Sequence, residues 1–172
     1  MKNLYSTDKL RKGKLPVYQY WLRMTQSIID RGGILFYIYN FIFRVTSFIY
    51  HVEISAKARI GSGLYIGHPY CITINPNTKI GNNCNIHKGV TIGQENRGDR
   101  KGAPIIGDRV WIGVNSTIVG AINIGSDVLI APNTYINKDI PDHSVVYGNP
   151  CIIKHKDNAT ECYINNIILN DV

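Results

Sequence analysis

Isoleucine recurs every six residues through most of this chain. It stands at Ile54, Ile60, Ile66 and Ile72, at Ile80, Ile86 and Ile92, and at Ile106, Ile112, Ile118, Ile124, Ile130 and Ile136. Glycine follows at Gly61, Gly67, Gly81, Gly93, Gly107, Gly113 and Gly125. The fifth position of most units is small or β-branched, as in Ala58, Val90, Val110, Ser116, Val128 and Thr134. A helix would need apolar spacings of three and four, which this stretch lacks. A six-residue period fits a unit of one short strand plus a turn, three units closing one triangular coil. The isoleucines point inward and stack on their counterparts in the coils above and below, forming β-branched ladders. No coil buries its apolar face alone, so stacking is what stabilises it. The glycine beside each isoleucine is read as the residue that lets the backbone bend at the corner, where a side chain would clash or force a positive φ. The fold expected is all-β, a parallel β-helix, with a short N-terminal helical segment.

Two interruptions break the period. The register slips by two residues between Ile72 and Ile80, and the slip is assigned to Thr73-Ile74. Between Ile92 and Ile106 runs a polar, glycine-rich stretch, Gly93 to Pro104, which is expected to loop out of the coil. Loops on a rigid scaffold commonly carry function. The expected organisation is a helical segment over 1–50, a β-helix domain over 51–154 and a tail over 155–172 that has lost the pattern.

Ahead of the coils, Leu15 to Tyr50 reads as two helices broken at Gly32-Gly33. The second, Ile34 to Val45, is apolar and aromatic but contains Asn40 and Arg44, and is short for a membrane span. Packing against a helix of its own or a neighbouring subunit is the preferred reading. Lying in a membrane interface is the alternative, since aromatic residues with basic flanks suit that position.

The whole chain carries a formal charge of +7, and the excess sits at its start. Before residue 51 there are Lys2, Lys9, Arg11, Lys12, Lys14, Arg23, Arg31 and Arg44 against Asp8 and Asp30. Such an arm reads first as a solvated tail, then as a contact for anionic lipid or an anionic substrate. No nucleic-acid motif accompanies it, so no nucleic-acid partner is expected. Cys71, Cys84, Cys151 and Cys162 show no zinc-ligand spacing, and no signal peptide is evident. They are read as reduced thiols of a cytoplasmic protein, Cys84 as a core filler.

Several segments resemble the catalytic domain of the serine acetyltransferases: Glu53 to Gly61, Ile66-Gly67-His68, Gly89 to Gly93, Ile105 to Asp108, and Val146-Tyr147-Gly148-Asn149-Pro150. The resemblance spans about His51 to Lys154 and looks nearest to the short relatives in colanic acid and capsular polysaccharide clusters. It implies a left-handed β-helix, a homotrimer, and acetyl-CoA as co-substrate with no metal. It also implies His68 as general base and Glu53, where the family has aspartate, as its carboxylate partner. That pairing has a chemical reason. An alcohol must lose its proton as it attacks a thioester, a neutral imidazole can take it near pH 7, and a carboxylate fixes the tautomer and steadies the imidazolium. Acetyl-CoA is then expected to lie in a groove between subunits, near Gly93, Gly113 and Ala131, with Lys138 and Lys154 toward its phosphates. His87, Arg97 and Arg100 are the candidates for contacting the acceptor.

The departures point to the acceptor. The family carries an aspartate directly before the base, and here Gly67 stands there. It carries a second histidine in the excursion loop, and here Asp99 to Pro104 has none. The expectation is therefore a sugar hydroxyl of a surface glycan or its lipid-linked precursor, with serine as the alternative acceptor and an oligomeric scaffold as the non-enzymatic one. A zinc-dependent β-helix of the carbonic-anhydrase kind needs three histidine ligands. It also needs two of them five residues apart, which His51, His68, His87, His143 and His155 do not supply. His51, His143 and His155 read as surface residues.

Overall fold

The computed structural model describes residues 4–168, so Lys2 lies outside the described residues. Three helices come first: α1 (Leu4–Lys12), α2 (Val17–Ile28) and α3 (Gly33–Tyr50). Short strands then wind into about five stacked coils. Coil one holds β1 (Glu53–Ile54), β2 (Arg59–Ile60) and β3 (Tyr65–Gly67). Coil two holds β4 (Thr73–Ile74), β5 (Lys79–Ile80) and β6 (Asn85–His87). Coil three holds β7 (Thr91–Gly93), β8 (Ile105–Ile106) and β9 (Val110–Ile112), and coil four β10 (Thr117–Val119), β11 (Asn123–Ile124) and β12 (Val128–Ile130). Coil five keeps β13 (Tyr135–Ile136) and β14 (Ser144–Tyr147), and β15 (Ile152–His155) returns antiparallel on β14. The first sheet stacks β1-β4-β7-β10-β13, the second β2-β5-β8-β11, and the third β3-β6-β9-β12-β14, every pair parallel. This is the left-handed parallel β-helix expected.

The isoleucine ladders make the core. Ile54, Ile74, Ile92, Ile118 and Ile136 fill one column, Ile66, Ile86, Ile112 and Ile130 another, all buried. The register slip lies elsewhere than assigned. Thr73 pairs with Glu53 and Ile74 with Ile54, so Ile74 is the rung, and the two extra residues fall at the corner His68 to Ile72. Ile72 is fully buried, which is why it passes for a rung, but its carbonyl accepts the Glu53 N–H (2.8 Å).

The glycines act through close approach. At Gly61 an added Cβ would lie 2.6 Å from the Gly81 carbonyl, and Gly81 stands in the same relation to Gly107. Positive φ falls instead on other corner residues, among them Asn83, Arg109, Asp127 and His143. Asparagine and aspartate tolerate that region better than most side chains. A second, polar ladder runs along one corner. Asn82 Oδ1 accepts the Ser62 N–H (2.9 Å), Asp108 Oδ1 accepts the Asn82 N–H (2.6 Å), and Ser126 Oγ accepts the Asp108 N–H (3.1 Å).

The basic start of the chain is helical, and of its cations Arg11 and Arg23 are buried while Lys9, Lys14, Arg31 and Arg44 stay exposed. Arg23 and Asp8 are buried side by side (2.7 Å), and Arg23 also donates to the carbonyls of Ile60 and Gly61. Asp8 Oδ1 accepts the Leu64 N–H (2.9 Å), and Gln19 donates to the Leu64 carbonyl (2.8 Å). Helices α1 and α2 thus close the end of coil one by satisfying its exposed backbone. α1 was invisible in the sequence because its anchors are long-range and polar.

Helix α3 packs on α2 through Tyr39, Phe43 and Tyr50, with ring contacts Tyr18–Phe43 (5.4 Å), Tyr18–Tyr50 (6.4 Å) and Trp21–Tyr39 (5.6 Å). Its opposite stripe, including Ile34, Tyr37, Ile38, Phe41, Val45 and Phe48, is exposed. The apolar run extends past Val45 to Tyr50, giving 18 residues of mean hydropathy 1.3, long and apolar enough to cross a membrane by length and composition. Only 11% of that helix is buried.

Candidate active site

The extra residues at the first corner put His68 outside the coil. It follows β3 with φ 55°, its side chain is exposed, and its carbonyl accepts the Tyr70 N–H (2.7 Å). The loop is laced to its surroundings by Cys71 N–H to the Tyr50 carbonyl (3.2 Å) and Gly89 N–H to the Tyr70 carbonyl (3.0 Å). Tyr50 and Tyr70 rings pack at 5.2 Å. The loop is therefore held against the end of α3 and the start of β1.

Glu53 opens β1 with its carboxylate exposed. It borders a groove of about 500 Å³ that also takes in Arg44 and Ser47 of α3, Asn75 and Gly93. A smaller hollow of about 250 Å³ joins Glu53 to Phe48, His51 and Thr73. The chain brings Glu53 and Gly93 together, but no hydrogen bond or ion pair links Glu53 to His68 among the described residues. His51, read from the sequence as a surface residue, stands in the same hollow as Glu53, because it ends α3 in a left-handed conformation (φ 50°). Its position at a helix end beside a strand start was the one available signal.

Gly113 and Ala131 stand apart from that groove. The register continues Gly67 to His87, and one residue beyond Ile112 and Ile130 come Gly113 and Ala131, so these four form one column at the end of the third sheet, next to His68. Their amides are already engaged, Gly113 N–H with the Ile130 carbonyl (2.9 Å) and Ala131 N–H with that of Val146 (2.8 Å). The Ala131 carbonyl accepts from Ser116 and Thr134. Gly67 answers to packing: a Cβ there would lie 2.6 Å from His87 Nδ1. His87 occupies the space that a side chain before the base would need.

The excursion loop folds as a small turn in which Glu95 and Gly102 exchange two backbone hydrogen bonds of 2.9 Å. Arg100 pairs with Glu95 (3.2 Å), and its carbonyl receives the Ala121 N–H (2.8 Å), which seats the loop on coil four. Arg97 lies exposed near its tip. Lys138 is exposed after β13, and Lys154 of β15 is exposed with its Nζ 5.8 Å from the Tyr147 ring centroid.

Four titratable groups, Arg11, Tyr18, Cys84 and Asp127, are perturbed, each for structural reasons. Burial pushes the Cys84 thiol up to about 12, in keeping with a core filler. Burial also raises the Asp127 carboxyl, but hydrogen bonds from Thr160, His143 and the Ala159 N–H outweigh it and hold the group below its ordinary value.

Comparison with known proteins decides the family. The bacterial transferase hexapeptide family (six repeats) matches residues 103–138. The serine acetyltransferase of Helicobacter pylori strain 26695 is 34% identical over 122 residues, covering 71% of each chain. The chain belongs to the serine acetyltransferase family. Membership makes it an acetyl-CoA-dependent O-acetyltransferase. The crystal structure of Neisseria gonorrhoeae serine acetyltransferase in complex with serine superimposes with a TM-score of 0.71 at 26% identity, covering 89% of this chain and 68% of that one. A serine acetyltransferase solved as a complex with CoA shares the fold, with a TM-score of 0.67 and 24% identity over 80% of this chain and 55% of that one.

Proposed function

We propose that this enzyme acetylates the hydroxyl of serine, with His68 as general base and Glu53 as its carboxylate partner. The observation that carries the acceptor is the match over 71% of the chain to a serine acetyltransferase, supported by the likeness to a serine-bound structure. In the reaction, neutral His68 takes the hydroxyl proton as the oxygen attacks the thioester carbonyl. Glu53 holds the imidazole and steadies its charge. A backbone N–H stabilises the tetrahedral oxyanion, which collapses to the ester while the CoA thiolate recovers the proton from His68. In this reading the acetyl end of acetyl-CoA enters the groove holding Glu53 and Gly93, the pantetheine runs along the separate column of Gly113 and Ala131 at the end of the third sheet, and Lys138 and Lys154 lie toward the phosphates. A homotrimer would complete the groove with a neighbouring subunit.

Two observations favour a second reading, a sugar hydroxyl. The excursion loop has no histidine, and Gly67 with His87 packed on it leaves no carboxylate before the base to meet an ammonium group. Thiol release from acetyl-CoA, measured with L-serine and then with a sugar panel, separates the two. Serine-dependent release supports the first reading and removes the second; release that ignores serine and rises with a sugar does the reverse.

Acetyl-CoA chemistry places the enzyme in the cytoplasm in this reading. The exposed stripe of α3 supports peripheral contact with the inner membrane face, although Arg11 and Arg23 are taken up internally and add nothing to it. Co-sedimentation with anionic vesicles that is lost in Phe41→Glu supports the contact; a chain that stays wholly in the supernatant rejects it.

A further inference from the structure

A β-helix asks of its outward positions only that they tolerate water. On the third sheet three of them are aromatic, Tyr65 on β3, His87 on β6 and Trp111 on β9. Their rings form a chain, with centroids 6.2 Å apart from Tyr65 to His87 and 4.7 Å from His87 to Trp111. The C-terminal segment comes back across this face and sets Tyr163 edge-on against Trp111 at 5.1 Å. Between ladder and returning segment lies a cavity of about 330 Å³. Apart from the rings its walls are Asn85, Asn165, Asn166 and Arg11, with no aliphatic side chain among them.

The chemistry of this lining selects a ligand. Arg11 is its one permanently charged group, and burial lowers the pKa of that guanidinium. Its N–H groups already donate to the carbonyls of Gly63, Cys84 and Asn165 and to Asn85 Oδ1, which leaves no fork for an anion. Among the described residues no carboxylate lines the cavity to meet a cation. Asn85 is already engaged, accepting from Arg11 and donating to the Tyr163 carbonyl (3.1 Å), so the uncharged donors and acceptors offered to a ligand are those of Asn165 and Asn166. Aromatic faces attract the weakly positive C–H edges of a saturated ring and bury its area. The volume sits at the low end for small-molecule sites, enough for one ring and too small for a nucleotide. From this we infer that the cavity is a carbohydrate subsite that takes one neutral pyranose ring against Trp111. It abuts the strand that carries the base, since the His87 ring rests on Gly67, the residue before His68.

The inference concerns binding without acetyl-CoA and does not rest on which hydroxyl is acetylated. Saturation-transfer NMR on the full chain with methyl glucoside, methyl galactoside and methyl N-acetylglucosaminide tests it, with L-serine and inorganic phosphate as controls. At least one glycoside is expected to bind saturably, and its affinity to fall about tenfold or more, ~1.4 kcal/mol, in both Trp111→Leu and Tyr163→Ala. Gly67→Ala, which must displace His87, is expected to weaken the same signal. Thermal melts identify any variant that fails to fold, and the remaining ones then carry the comparison. No saturable transfer from any glycoside to the wild-type chain overturns the inference. So does binding that survives in folded Trp111 and Tyr163 variants, or that phosphate competes away. Serine-dependent thiol release in the same preparation reports on the acceptor separately.

Discussion

Ile92 and Ile118 are fully buried, one above the other, and so are Asp8 and Arg23 at the start of the chain, yet nothing else about the two pairs is alike. The isoleucines repeat an environment found on every coil, and each rung adds a similar increment of apolar burial. The ion pair occurs once. It is held by hydrogen bonds to Gln19, Leu64, Ile60 and Gly61, and its burial is tolerable only while all of them are made. The coils are redundant, and the ends depend on single polar anchors. The corner that carries His68 is a third kind of region, an interruption exposed to solvent and laced by backbone bonds.

The largest effect expected separates that corner from both others. His68→Ala should lower kcat by about 10²–10⁴-fold, the range for removing a general base, with the melting temperature unchanged. A melting temperature that falls together with activity would make the corner a structural element instead. Arg23→Ala should come next, costing about 3–5 kcal/mol by leaving Asp8 buried without its partner. Denaturation followed by helix and sheet signals should then lose its coincidence, the helices leaving first; coincident transitions would show that ends and coils form one cooperative unit.

Smaller effects test the other end. Asp127 receives the Ala159 N–H (3.0 Å), the Thr160 N–H (3.1 Å) and the Thr160 hydroxyl (2.6 Å), tying the returning segment to coil four. Because its folded pKa is depressed, the stability it contributes is present above the unfolded carboxyl value, about 3.9, and is lost as pH falls through the lower folded value. The protection factors of the Ala159 and Thr160 amides, their exchange relative to the intrinsic rate at each pH, should therefore fall below about pH 4 before the coils open. In Asp127→Asn, at a cost of about 1–3 kcal/mol, exchange should be faster already at pH 7 and lose that acid step. Ile118→Val should have the least effect, about 0.5–1.5 kcal/mol, since neighbouring rungs remain.

Much of the site's setting was legible from residue types, and its limits have physical causes. Glu53 and His68 stood out through the resemblance to the serine acetyltransferases, which also implied Gly93; Glu53 and Gly93 line one groove, while no contact joins Glu53 to His68 among the described residues. The place of the register slip was misread because Ile72 and Ile74 are both buried, so hydrophobicity cannot say which is the rung; backbone pairing to Glu53 and Ile54 decides it. For the coil glycines the expected clash of a side chain holds, the next coil being what it would meet, and positive φ falls on other residues; at Gly67 the neighbour is His87. His51 is exposed, as read, and Trp111 drew no reading at all, since what matters about each is its neighbour in space.

The six-residue spacing by itself determined the triangular coil, the parallel pairing and nearly every core rung, because each unit meets the same surroundings and the pattern repeats along the chain. Tertiary structure alone decided that Arg11 and Arg23 are interior and that the C-terminal segment closes over Trp111 and Asp127. Arg11 and Asn165, 154 positions apart, meet once. A pairing made once between distant residues leaves no period in the sequence, and its hydrogen bonds exist only after the coils have brought the two ends together.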